Sequence, residues 1–342
     1  MYTIKDVARE ADVSIATVSR VINGKDRVKK ETREKIVRAI EKLKYVPDQA
    51  ARTMISKKTK TIGLVVPLLS NEYWAQMAEM MQRRLIKRGY SLLISTFNFD
   101  DHNDLSFLDT FMERKVEGII IGAWPKPFSE SDQAYIGMLQ SQNIALVSLA
   151  HVTNNVIFIG GDHLSSSMEA VEHLIRLGHH KIAYLGGAGV GFERELGYRN
   201  AFMLNRLQID ESLIVSEREH TLHYFSQYGY ERTCRLVSER SEFSALFCAN
   251  DLIAIGAIKA LEEHGLRVPE DIAVVGFDDI TAAGYYRPAL TTVKQPIEDM
   301  ANAAADVLLE QIEHPDVRSP QRKIMFPMQL VVRESCGYGR GQ

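Results

Sequence analysis

Residues 1–24 read MYTIKDVAREADVSIATVSRVING, and this stretch spells two short helices joined by a tight turn. Thr3 is placed to cap the first helix, and Ile4, Val7, Ala8 and Ala11 follow at i, i+3, i+4, i+7 as one apolar stripe. Asp12 and Val13 make the turn, and Ser14 is a natural cap for the second helix. That helix turns Val18, Val21 and Ile22 inward and stops at Asn23-Gly24. Its other face carries Ile15, Ala16, Thr17, Ser19 and Arg20. In a helix-turn-helix the start of the second helix enters the DNA major groove, where such side chains meet base edges. A helical hairpin serving only a small core has the same spacing.

Charge separates these two readings. Residues 1–60 hold 16 Lys and Arg against 8 Asp and Glu, a net charge of +8. The other 282 residues hold 25 against 36, a net of −11, so the near-neutral total of −3 hides a basic head on an acidic body. Phosphate backbones attract such a head and make its binding salt-dependent. An acidic body resists lying along DNA and confines the contact to the head.

Outward from the head, a third helix is expected over 30–44, with Ile36, Ile40 and Leu43 facing the first two. Pro47 ends this unit, and Asp48 can cap a short helix over 49–55 that is marginal in water on its own. Lys57-Lys58-Thr59-Lys60 follows as a polar basic connector. From Thr61 the pattern alternates strand and helix. Strands are expected at 61–66, 90–95, 119–122, 144–149 and 156–160, then at 181–185, 245–248 and 272–276. Helices fall between them at 73–88, 104–115, 131–142, 165–177, 193–205, 226–238 and 252–264. This alternation predicts parallel sheets covered by helices on both faces, in two similar lobes. Ligands of such sheets sit outside the carboxyl ends of the strands, which between two lobes form a cleft.

The chain of 342 residues, 45% hydrophobic, suits two or three domains with a sizeable core. Its three cysteines, Cys234, Cys248 and Cys336, make no CxxC and no even framework, as expected in a reducing cytoplasm. Charge from Lys5 onward argues against a signal peptide, and runs such as 62–69 are too short to span a bilayer. We therefore expect a cytoplasmic protein with no membrane partner.

Several blocks make the chain similar to the lactose-repressor (LacI/GalR) family of bacterial transcription regulators. They are TIKDVA at Thr3–Ala8, VSIATVSRVING at Val13–Gly24 and ETREKI at Glu31–Ile36 in the head. The body adds LGHHKIAYLGG at Leu177–Gly187, FERELGYR at Phe192–Arg199 and AND at Ala249–Asp251. VPEDIAVVGFDD at Val268–Asp279 and LTTVKQP at Leu290–Pro296 complete the set, in order along nearly the whole chain. The resemblance implies an N-terminal all-α helix-turn-helix domain over 1–46 and a hinge helix and linker over 47–60. It implies an α/β periplasmic-binding-protein-like body over 61–342, built of two doubly wound parallel-sheet lobes. The first lobe is expected over 61–160 and 293–322, and the second over 161–292 and 323–336.

Carried over position by position, the resemblance puts Ile15, Ala16 and Arg20 at operator bases and Ser14, Thr17, Asn23 and Tyr45 at phosphates. Two hinge helices of a homodimer could pair through Ala50 and Ala51, with Met54 wedged into a minor-groove step. Asp12 departs from the glycine usual at the turn, and Asp tolerates the left-handed conformation better than most residues. The expected cleft residues are Tyr73 and Trp74 for ring stacking, Arg194, Tyr224, Asn250 and Asp278, with Trp124 a further rim residue. This mix suits a carbohydrate effector, and a nucleobase or a phosphorylated sugar would use a similar one.

The expected function is a repressor on a pseudo-palindromic operator, controlled by a small molecule between the lobes. No phosphocarrier corepressor is expected, because helix 297–312 lacks the basic residues that docking needs. The tail after Arg333 cannot form a heptad helix, which favours a dimer over a tetramer. The run 186–191, GGAGVG, does not fit GxGxxG, and neither a P-loop nor GxSxG occurs. His173, His179 and His180 read as a helix end and turn rather than a metal set. No enzyme activity, cofactor or metal is expected. The alternatives are a sugar sensor without DNA work and, more distantly, an enzyme on a doubly wound scaffold.

Overall fold

The computed structural model describes residues 2–22, 28–45, 58–96, 105–124, 128–150, 155–187, 190–217, 225–315 and 322–339. The chain forms two compact units, residues 1–59 and 60–342.

In the first unit, helices α1 (Ile4–Glu10), α2 (Ile15–Ile22) and α3 (Lys30–Leu43) share a core of Val7, Ala8, Ala11, Val18, Val21, Ile36 and Ala39. The expected stripe is buried because only one face of each short helix meets another helix. Ile40 and Leu43 sit at the margin of that core rather than within it. The amide of Thr3 donates to Asp6 Oδ2 at 2.8 Å, tying down the start of α1. Ser14 Oγ accepts the Thr17 amide at 3.2 Å and caps α2. Asp12 takes φ +53° at the turn, as its short polar side chain permits.

The second unit contains two six-stranded sheets. The first lobe is built from β1 (Thr61–Val66), α4 (Glu72–Ile86), β2 (Ser91–Thr96), α5 (Ser106–Glu113), β3 (Gly118–Ile121), α6 (Glu130–Ser141), β4 (Ala145–Ser148) and β5 (Ile157–Gly161). The second comprises α7 (His163–Arg176), β6 (Ile182–Gly187), α8 (Val190–Leu204), β7 (Ile214–Glu217), α9 (Phe225–Ser238), β8 (Ala245–Cys248), α10 (Asp251–Glu263), β9 (Ala273–Asp278), α11 (Thr281–Tyr285) and β10 (Thr291–Lys294). The chain then returns through α12 (Ile297–Glu313) and β11 (Lys323–Phe326) to the first lobe, and ends with β12 (Gln329–Val331) in the second. Strand orders are β11-β5-β4-β3-β1-β2 and β12-β10-β9-β8-β6-β7. Pairing is parallel throughout except for β12, which runs antiparallel to β10.

The central strands β3, β4, β6, β8 and β9 are buried along their whole length, as expected where helices cover both faces. Around the first sheet one apolar cluster joins Met77, Met81 and Leu85 of α4 to Ala301, Ala304 and Leu308 of α12, and another joins Phe107 and Phe111 of α5 to Ile136 and Leu139 of α6.

Two lobe boundaries differ from expectation. Lys323–Phe326 pairs with Phe158–Gly161, so it belongs to the first lobe, not the second. Val293 and Lys294 pair with Phe277 and Asp278, so they belong to the second lobe, not the first. The reason is long-range pairing: both segments are four-residue strands whose sheet is chosen by partners far away in sequence. The chain thus crosses between lobes three times, at 161–163, 294–297 and 326–329. Two crossings touch, since the Asp162 amide donates to the Phe326 carbonyl at 3.3 Å. A Cβ on Gly161 would meet the thioether of Met328, so a larger residue there requires that side chain to move.

The head has a small core, and Ile36 at its centre is fully buried. Ile36→Ala is expected to destabilise the head by about 2–5 kcal/mol and to lower its transition in calorimetry of the full chain, with the transition of the body unchanged.

Candidate functional site

The head presents one solvent-facing helix surface around its buried side. On α2, Ile15, Ala16 and Arg20 are exposed, Thr17 and Ser19 half-buried, and Val18 and Val21 face the core. Ile15 is 44% exposed, unusual for an isoleucine, with no cover among the described residues of the head. Ser14 is exposed at the N-terminus of α2, its hydroxyl 2.8 Å from that of Thr17. Tyr45, just beyond α3, packs half-buried on the head core. The structure therefore leaves Ser14, Ile15, Ala16, Thr17 and Arg20 on one accessible face. Asn23, Ala51 and Met54 lie outside the described residues, as does Tyr224 of the cleft set.

In the body, the carboxyl ends of β6, β8 and β9 converge on Arg194. This residue is the fifth of α8, which follows β6, and it is 5% exposed. Its Nη2 donates to Asp278 Oδ1 at 3.3 Å, its Nε to His163 Nδ1 at 3.4 Å, and its Nη1 to the carbonyl of Ala249. The guanidinium lies 3.8 Å above the ring of Phe277. Asp278, the last residue of β9, also accepts from Gln295 Nε2 at 2.6 Å. Tyr73 at the start of α4 is buried and stacks edge-on against Trp74 at 4.8 Å. Its phenol is pushed well above the tyrosine range by burial and by the Asp278 carboxylate. Tyr73 of the first lobe therefore feels the Arg194–Asp278 pair of the second. Asn250, one residue beyond the carbonyl bound by Arg194, caps α10 by accepting the Ile253 amide at 2.8 Å.

Burial raises the pKa of Asp278, and Arg194 and Gln295 partly offset it. Next to it Asp251, fully buried, is held well above the carboxylate range by burial and by Asp278. Asp251 accepts the Ile280 amide at 2.9 Å and the hydroxyl of Thr292. Asp278 and Asp279 take φ values of +117° and +56°, a strained pair of non-glycine residues. The turn is pinned on every side. Arg333 Nη2 donates to Asp279 Oδ1 at 2.6 Å, the Asp279 amide reaches Thr292 Oγ1 at 3.3 Å, and Asp251 holds Ile280. The sequence blocks AND, GFDD and LTTVKQP are thus three walls of one polar site.

Asp251 and Gln295 carry no assigned role in the sequence reading, although both stand inside quoted blocks. His163 carried no signal at all, because a histidine after an aspartate at a helix start looks like any surface residue. Trp124 is placed elsewhere than expected: its described ring contacts are with Phe107 at 6.0 Å and Phe128 at 5.5 Å, in the first-lobe core. His179 Nδ1 pairs with Ser244 Oγ at 2.9 Å, and His173 faces Cys336, so the two point to separate partners. Gly187 ends β6, and Tyr184 Oη donates to the Gly191 carbonyl at 2.7 Å, tying the first turn of α8 to β6.

Burial first, and then the Arg194 cation, hold the His163 pKa well below its usual value. The unfolded chain binds this proton near pH 6.5 and the native state does not. Stability contributed by His163 is therefore present above about pH 6.5 and is lost as pH falls below it. In urea unfolding of the full chain at pH 7 and pH 5, His163→Asn is expected to lose less stability on acidification than the parent; an equal loss excludes His163 as the group titrating.

Comparison with known proteins gives this geometry its family. Residues 3–48 match the bacterial regulatory proteins of the lacI family, and residues 171–336 a periplasmic binding protein-like domain. The chain is 34% identical over 341 residues to the HTH-type transcriptional repressor PurR of Haemophilus influenzae, covering 98% of each chain. It is 32% identical to the ribose operon repressor of the same organism, again with 98% of each covered. Its structure resembles the Lac repressor dimer bound to operator and the anti-inducer ONPF (TM-score 0.83, 28% identity, 98% of this chain and 99% of that one). It also resembles a complex of the transcriptional regulator CelR with cellobiose (TM-score 0.71, 29% identity, 98% and 100% covered). With a helix-turn-helix head on a two-lobed binding-protein body, the chain belongs to the lacI family of bacterial transcriptional regulators, which are DNA-binding proteins and not enzymes.

Proposed function

We propose that this chain is a cytoplasmic, homodimeric repressor that reads a pseudo-palindromic operator and is controlled by a neutral carbohydrate held between its lobes. The observation that carries the DNA half is the exposed face of α2, where Ile15, Ala16 and Arg20 stand clear of the core. Arg20 suits bidentate bonding to guanine, and Ile15 and Ala16 suit contact with a thymine methyl. Ser14, Thr17, Asn23 and Tyr45 serve phosphates, which set register. Met54 and Ala51 complete the reading at the minor groove, Met54 as the wedge and Ala51 at the close approach of two hinge helices. The domain limits follow the same reading: head 1–46, hinge 47–60, body from 61.

The buried Arg194–Asp278 pair carries the effector half. A guanidinium beside a carboxylate offers donors and acceptors to neighbouring hydroxyls, and Tyr73 and Trp74 supply ring faces for the C–H surface of a sugar. The amide of Asn250 and the loop of Tyr224 complete the set. The charge of Arg194 is already balanced by Asp278, with Asp251 behind it, so a phosphate or carboxylate ligand would meet no uncompensated cation at this pair. A purine, as the name of one relative suggests, is the second reading, favoured only by the aromatic pair Tyr73–Trp74.

A phosphocarrier corepressor fits poorly. Arg84 of α4 and Arg88 just beyond its end already pair with Asp306 and Glu313 of α12, and Arg83 pairs with Glu79. Dimerisation follows from the two-fold symmetry of operators that such heads read.

Selection of genomic fragments by the purified chain is expected to return a palindromic motif whose affinity falls steeply with salt. Arg20→Ala should weaken that site roughly ten- to hundredfold and relax specificity at one base pair; unchanged specificity removes Arg20 from base readout. Asp278→Ala should bind operator normally yet fail to respond to any sugar that moves the parent protein. A normal dose response would remove Asp278 from the effector site.

A further inference from the structure

One interaction joins the lobes without belonging to the effector set. The carboxylate of Glu72, in the first turn of α4, accepts the amide of Thr281 at 2.9 Å across the cleft. Gln76 Nε2 donates to the same Glu72 oxygen at 2.7 Å and lies 3.5 Å from Thr281 Oγ1. Thr281 opens α11, whose preceding residue, Ile280, provides no side-chain cap. The first amides of that helix are instead taken by two carboxylates: Ile280 by Asp251 from within its own lobe, and Thr281 by Glu72 from the other. Burial raises the Glu72 pKa, but the Thr281 hydroxyl and amide, Gln76 and the Ala282 amide outweigh it and leave the carboxyl below its ordinary range.

The placement couples this contact to the cleft. Glu72 immediately precedes Tyr73, whose phenol feels Asp278, and Thr281 follows the strained Asp278–Asp279 turn by two residues. Asn71 caps α4 by accepting the Tyr73 amide at 3.1 Å, which fixes the direction in which Glu72 leaves the helix. The lobes cannot separate at this edge without stripping the Glu72 carboxylate from the Thr281 amide, a charge-assisted hydrogen bond at the solvent-exposed rim.

We propose that Glu72 is an interlobe latch: its carboxylate binds the amino end of α11 and holds the two lobes together, so that Glu72 sets the open-to-closed ratio on which an effector acts. Only the last clause rests on the effector reading given above; the latch itself is defined without ligand or DNA. Glu72 is a positioning residue here, since it acts through the lobe geometry.

The test uses the full chain with neither ligand nor DNA. Glu72→Ala removes the acceptor. Thr281→Pro removes the donor and suits the fold, because proline is favoured at a first helical position and Ile280, at φ −64° and ψ 155°, already has the backbone that precedes proline. Hydrogen exchange of the 279–286 segment should accelerate about tenfold in Glu72→Ala and less in Glu72→Gln, which keeps a neutral acceptor. In a Trp124→Phe background, acrylamide quenching then reports Trp74 alone at the mouth of the cleft. Quenching should rise equally in Glu72→Ala and Thr281→Pro and no further in the double variant. Unchanged exchange overturns the latch. Faster exchange with unchanged Trp74 quenching reduces Glu72 to a local helix cap and overturns it as well, as do additive effects in the double variant. Failure of every sugar to act on the protein would sink the effector reading but leave these outcomes untouched.

Discussion

Arg194 and Asp278 form an ion pair with side chains only 6% and 7% exposed, and the architecture of the body is arranged around that fact. Desolvating two charges costs several kcal/mol each, and their mutual attraction offsets this only when the remaining donors and acceptors are satisfied. Here each has a partner of a different origin. The guanidinium is held by a carbonyl at the end of β8, by a histidine at the start of α7 and by the face of Phe277 in β9. The carboxylate is held by Gln295, which follows β10. Three strand ends and one helix start must therefore be brought to one point before the pair is tolerable, and a doubly wound sheet does this by aligning its carboxyl edges.

Two of those partners, His163 and Gln295, lie on segments where the chain passes between lobes. His163 begins α7 immediately after the first crossing, and Gln295 lies on the second. A molecule that displaces either hydrogen bond acts directly on the connections about which the lobes turn. On the effector reading proposed above, sensing and movement share atoms, so no long pathway through the core is needed to link them. The strained Asp278–Asp279 turn fits the same logic. Its left-handed backbone is held by Asp251, Thr292 and Arg333, so the direction of the Asp278 carboxylate is set within its own lobe.

The head follows a different rule. Its few buried side chains only hold three helices together, and its function lies in what they leave outside. Exposure of Ile15 serves a small domain poorly unless another surface covers it, whereas Val18 and Val21, three and six residues on, are consumed by the core. Net charge sharpens the division. The +8 head and −11 body make the attraction to phosphate local to one end of the chain.

By itself the sequence determined whatever depends on local periodicity. The three helices of the head, the alternation of strands and helices, and the strand Ala245–Cys248 to the residue were legible because burial imposes a repeat of 3.6 or a continuous apolar run. Arg194, Asp278, Tyr73 and Trp74 were legible through family blocks, though not the bonds among them. Only the tertiary structure decided which sheet receives Lys323–Phe326 and Val293–Lys294, because strands of four residues carry no preference apart from distant partners. It also decided the roles of His163, Asp251, Gln295 and Glu72. Each is an ordinary polar residue in sequence, and each acquires meaning from a partner between 17 and 209 positions away. Hydrogen bonds to such groups are short-ranged, whereas the spacing that sequence reveals ends at the next turn of the same helix or strand.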